Sequence, residues 1–147
     1  MDDEIWAQKL AKEIQNRRAK KERQSQQFLA EVELKKAHAP KIWEEIRGLM
    51  KSKMEALNAA LGEEALRWAS PKSNEARIER TDSPRETFAW AEFNPESLGL
   101  EIHEVNTGRS YTPEVENGQV VFSSKKEGVE TPDYIAARFI AAISKFL

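Results

Sequence analysis

The chain has two histidines, His38 and His103, and Glu101 stands two residues before the second of them. On an extended strand that spacing puts both side chains on one face, the arrangement of half a metal site or of an acid/base pair. Alternation sets this face opposite Leu100 and Ile102, toward solvent, and the sequence supplies no third converging group. Glu44-Glu45 and Glu63-Glu64 bring carboxylates next to each other, but sequence neighbours on a helix diverge, and nothing holds either pair at a working distance. The patterns GxSxG, GxxxxGK[ST], GxGxxG and HExxH are absent, and the six glycines occur singly, so no phosphate cradle is visible. With no cysteine, disulfides, thiolate zinc sites, iron–sulfur clusters and a thiol nucleophile are excluded. No enzyme is expected from these residues, and no metal or cofactor.

Two other groups of residues invite binding. The segment RRAKKERQSQQ at 17–27 has no large apolar side chain, and its Arg17, Arg18, Lys20, Lys21 and Arg23 face a single acid, Glu22. Such a run is an ordinary solvated helical surface, or a sequence-blind contact to the phosphates of a nucleic acid, or the polar neck between two docking ends. Trp68, Phe88 and Trp90 lie in alternating stretches and are expected on the inner face of a curved sheet. They belong there to the core or line a cavity for a small apolar ligand.

Of 147 residues, 39% are apolar and 33% charged, the balance of a folded protein with a large solvated surface. Residues 1–62 hold 13 Lys/Arg against 10 Asp/Glu and residues 63–147 hold 10 against 15, so the net charge of −2 is the sum of +3 and −5. An excess of this size does not mark the whole chain as a nucleic-acid protein. The acidic start MDDEIW is not a signal peptide, and the apolar stretch YIAARFIAAISKFL contains Arg138 and Lys145 and is too short for a bilayer, so a cytoplasmic protein without a membrane partner is expected.

The elements that must position these residues follow from periodicity. Residues 3–37 lack Pro and Gly and are rich in helix formers, with DDE in the first turn and KK near the end. Apolar residues occur there in two groups, Ile5, Trp6, Leu10 and Ile14, then Phe28, Leu29, Val32 and Leu34. The polar seam positions between them argue against a continuous coiled coil. His38-Ala39-Pro40 predicts a break, and a second helix is expected over 40–61, with Ile42, Trp43, Ile46, Leu49, Met50, Met54, Leu57 and Leu61 as its core stripe and Gly62 as its stop.

After Gly62 the period becomes two. Six strands are read around Leu66/Trp68, Ala76/Ile78, Phe88/Trp90, Leu98/Leu100/Ile102, Tyr111/Pro113/Val115 and Val120/Phe122. They are separated by PKSN, TDSPRE, NPES, NTGR and ENG, with Asn117-Gly118 the strongest hairpin signal. Thr131-Pro132-Asp133 starts a last helix whose Ile135, Phe139, Ile143 and Phe146 share a face. The fold class is α+β: an N-terminal helical hairpin, an antiparallel meander of about six strands and a C-terminal helix packed on the sheet.

The division expected is a long helical arm at 1–37 and a compact domain at 38–147. A straight helix of that length, about 50 Å, exceeds a body of this size, so the segment 28–34 packs on the domain while Ile5, Trp6, Leu10 and Ile14 reach a partner. The expected partner is another protein or a second copy of the chain, a homodimer, ahead of nucleic acid.

Overall fold

The computed structural model describes residues 2–82, 88–104 and 107–147, apart from the side chain of Phe88. Most of the TDSPRE separator, and Asn106 of NTGR, lie outside the described residues. The chain divides into two units, residues 1–34 and 35–147.

Helix α1 runs without interruption from Asp3 to Leu61, with Pro40 inside it. The expected helical hairpin is therefore corrected to one continuous helix. A proline in a helix interior removes one backbone donor and crowds the preceding turn, at about 3 kcal/mol. Packing outweighs that here: Ala39, Trp43, Ile46, Met50 and Met54 recur on one face and are all buried. The helix ends as expected. Gly62 takes φ 71°, its N–H donates to Ala59 O at 3.2 Å and the Glu63 N–H to Asn58 O at 3.2 Å, which satisfies the last carbonyls in a Schellman turn. The Asn58 amide then accepts from Ala65 N and Leu66 N and donates to Leu66 O, tying the first strand to the helix end.

Among the described residues seven strands follow: β1 (Leu66–Trp68), β2 (Glu75–Arg80), β3 (Phe88–Phe93), β4 (Leu100–Glu104), β5 (Thr107–Glu116), β6 (Gln119–Ser124) and β7 (Gly128–Glu130). Each pairs antiparallel with its sequence neighbour, in the order β1 to β7. The meander thus has one strand more than the periodicity shows, because three residues of β7 are too few to display a period. Leu98, expected in a strand, lies in the turn before β4, where its φ is 63°. Asn117 and Gly118, with φ of 53° and 76°, form the two-residue β5–β6 hairpin turn. Helix α2 (Pro132–Ser144) is capped by Thr131, whose Oγ1 accepts from Tyr134 N.

Register assigns the two faces. Leu66, Ala76, Ile78, Ala89, Ala91, Phe93, Leu100, Ile102, Tyr111 and Phe122 point inward and are buried with the stripes of α1 and α2. Trp43 stacks on Phe93 with ring centroids 6.0 Å apart, and its indole N–H donates to Ser73 O. Arg47 donates to Glu75 O at 3.0 Å, and Lys53 pairs with Asp133 of α2 at 3.0 Å. The other face carries Arg67, Glu92, Glu101, Ser110 and Glu114, all exposed. Among the described residues no helix is long and apolar enough to cross a membrane.

Candidate functional site

In the unit 1–34, the first part of α1 presents its large apolar side chains to solvent. Trp6 is 58% exposed, Ile5 52% and Leu10 37%, and Ile14 is half-buried. At about 100° per residue, Trp6, Leu10 and Ile14 fall within an arc of about 80°, whereas Ile5 lies about 140° around the helix from Leu10. Ile5 is thus off the stripe it was grouped with. Phe28 and Leu29, expected to be covered, are 65% and 61% exposed.

Arg17, Arg18, Lys20, Lys21 and Arg23 are all exposed. At the same turn per residue they spread over most of the helix circumference. Only some of them can reach one phosphate track at a time. The hollow among Ile14, Arg17, Arg18, Lys20, Lys21 and Gln24 is the space between long side chains on one helix.

In the unit 35–147, the three aromatics proposed to share a ligand pocket do not converge. Trp68 lies half-buried at the margin of the inner face, with the Arg47 guanidinium 5.3 Å from its ring centroid. Trp90 lies on the opposite face, because the buried positions of β3 are Ala89, Ala91 and Phe93. The side chain of Phe88 lies outside the described residues. The inner face takes alanines at β3, leaving room for the large side chains of the covering helices, which is why the larger aromatic at Trp90 is turned outward.

Trp90 stacks instead on His103, its cross-strand partner, with ring centroids 3.9 Å apart and an angle of 20°. His103 Nε2 is 3.5 Å from Glu101 Oε2, so the Glu-His pair read from the sequence exists on the solvated face. His38 is exposed on α1 and does not join it. Among the described residues no three His, Asp or Glu side chains gather as a metal site would require.

The densest polar chemistry lies on the inner face and was not anticipated. Arg109 donates to Glu104 Oε1 at 2.5 Å and to the Tyr111 hydroxyl at 2.7 Å, and that hydroxyl donates to Glu130 Oε1 at 2.7 Å. Arg138 of α2 lies 3.6 Å from Glu130 Oε1 and also bonds Glu127. The side chains of Arg109, Glu104 and Glu130 are 9%, 14% and 5% exposed. Burial, then the hydrogen bond to Glu130, pushes the Tyr111 phenol well above its ordinary value. Arg138 holds the Glu127 carboxyl below its ordinary value through their hydrogen bond. These groups largely answer one another, the pattern of a polar core that fixes strand register. A sequence signal existed: Glu104 and Arg109 share the inward parity of Leu100, Ile102 and Tyr111.

No protein-family model, curated protein or solved structure matches this chain. Fold and sites together define an α+β protein with a seven-stranded meander and an N-terminal helix bearing an exposed apolar stripe.

Proposed function

We propose that the chain is a non-enzymatic interaction module, a sheet-and-helix domain whose N-terminal helix docks on another protein surface through Trp6, Leu10 and Ile14. The carrying observation is the exposure of Trp6 at 58% on a helical stripe that nothing else in its own unit covers. The polar run 17–27 separates this stripe from Phe28 and Leu29. A chain without cysteine suits the reducing cytoplasm as the setting.

The test is the double variant Trp6→Ala/Leu10→Ala of the full chain, followed by light scattering and thermal melting. Loss of association with a melting temperature unchanged to within about 2 °C is the expected result. A fall comparable to a core truncation would make the stripe part of a hydrophobic core and overturn the reading.

Nucleic-acid binding through Arg17, Arg18, Lys20, Lys21 and Arg23 draws less support, because these cations spread over an arc of about 220° rather than form one narrow face. A salt titration against a generic oligonucleotide separates the two readings: phosphate contacts lose affinity steeply between low and physiological salt, whereas apolar docking does not.

A further inference from the structure

The apolar stripe is short, and its two flanks carry opposite charge. Asp3, in the first turn of the helix, precedes it, and Arg17 and Arg18 follow it on the same helix. At about 100° per residue Asp3 and Arg17 fall inside the same arc as Trp6, Leu10 and Ile14, so the five form one line along the helix. The order along that line is acid, three apolar residues, base.

We infer that the partner of this stripe is a second copy of the chain, bound antiparallel about a twofold axis at Leu10. The inference rests on the docking function proposed above. In this register Leu10 meets the partner's Leu10, Trp6 meets the partner's Ile14, and Asp3 meets the partner's Arg17. The Leu10 contact lies on the axis and the other two each occur twice, as an isologous interface demands. One register thus buries all three apolar residues and matches opposite charges at both ends.

The alternatives are worse in charge. A parallel pair sets Arg17 beside its own copy and Asp3 beside its own. A longer antiparallel overlap places Leu10 on the partner's Phe28 and Trp6 on its Val32, which buries more apolar surface. It also stacks Arg17 on the partner's Lys21, twice over, and like charges at that separation repel. The contact from Asp3 to Arg17 is about 22 Å long, well below the size of a tight obligate interface, so dissociation constants on the order of tens of micromolar are expected.

A charge swap in the full chain, read by sedimentation or light scattering at low and moderate salt, tests the register. Asp3→Lys and Arg17→Glu alone each weaken the dimer about tenfold, and the double variant restores it to within about threefold of the parent. Because the chain has no cysteine of its own, Leu10→Cys adds the only thiol, and it is expected to oxidise to a disulfide-linked dimer faster than Gln24→Cys. If Arg17→Glu tightens the dimer and Phe28→Ala weakens it, the longer overlap is correct and this register is wrong, while docking through the stripe stands. If a dimer is lost in Trp6→Ala/Leu10→Ala but the double charge variant fails to recover it, the antiparallel pairing falls and docking again stands. A chain monomeric at about tenfold above the expected constant overturns the second copy as partner. A dimer indifferent to Trp6→Ala/Leu10→Ala overturns both inferences.

Discussion

The Tyr111 hydroxyl donates to Glu130 Oε1 across 2.7 Å, linking β5 to β7 over the intervening β6 on the buried inner face. Tyr111 is 1% exposed and Glu130 8%. A one-residue slip of β7 would turn Glu130 to solvent and leave the phenol without its acceptor. The bond therefore selects the register of the last strand, which has only three residues.

Tyr111→Phe keeps the ring and removes the donor. The expected loss is about 1–3 kcal/mol in urea unfolding, because a buried carboxylate oxygen loses its partner. The fold favours the neutral phenol, whose unfolded counterpart ionises near pH 10, so its contribution is complete below about pH 10 and is lost as pH rises beyond it. The parent should lose stability above about pH 10 more steeply than the variant. Parallel slopes would show that the phenol is hydrated.

Arg109→Met deletes the cation shared by Glu104, Tyr111 and Glu130. Glu104 loses its ion-pair partner and Glu130 one of the two cations beside it, and a loss of about 3–5 kcal/mol is expected from denaturant midpoints at unchanged m-value. A loss under about 1 kcal/mol would mean that water replaces the guanidinium.

Pro40→Ala should stabilise the protein by about 1–3 kcal/mol, since alanine restores a backbone donor in the interior of α1 and relieves the clash with the preceding turn. Thermal melting measures it. A destabilised variant would show that ring packing of the half-buried proline outweighs the missing hydrogen bond.

The two stacked tryptophans should answer truncation differently. Trp43→Ala empties a 3% exposed core position and removes the indole bond to Ser73 O, for a loss of about 3–5 kcal/mol. Trp90→Ala removes one cross-strand pair from a solvated face and should lose about 1 kcal/mol or less. Equal losses would show that the outer face is packed like the inner one.

The elements that follow one period were legible in the sequence. The stripe from Trp43 to Met54, the Gly62 stop, the Asn117-Gly118 hairpin and the Thr131 cap all stand where spacing puts them, because each depends on local geometry. Two features depend on tertiary context and were misread. Pro40 reads as a boundary by its own chemistry, yet the buried faces of Ala39 and Trp43 carry the helix across it. In TFAWAEF both parities contain apolar residues, and residue size favours Phe88 and Trp90; the inward parity is instead decided by the bulk of the helices above and by Phe93. The Glu101-His103 pair was legible because the strand period alone places it. The Arg109 network was missed because its members come from β4, β5, β7 and α2, and only the pairing register brings them together.

Because every strand pairs only with its neighbour in sequence, the sheet needs no long loop closed before its hydrogen bonds form. Each hairpin is a local event, and any of them can serve as the nucleus. The slow search belongs instead to the two helices that must find the finished inner face, one from each flank of the sheet in the chain. For the residues from 39 onward, the folding barrier should be felt by mutations at Trp43, Ile46 and Phe139 more than by mutations in the turns.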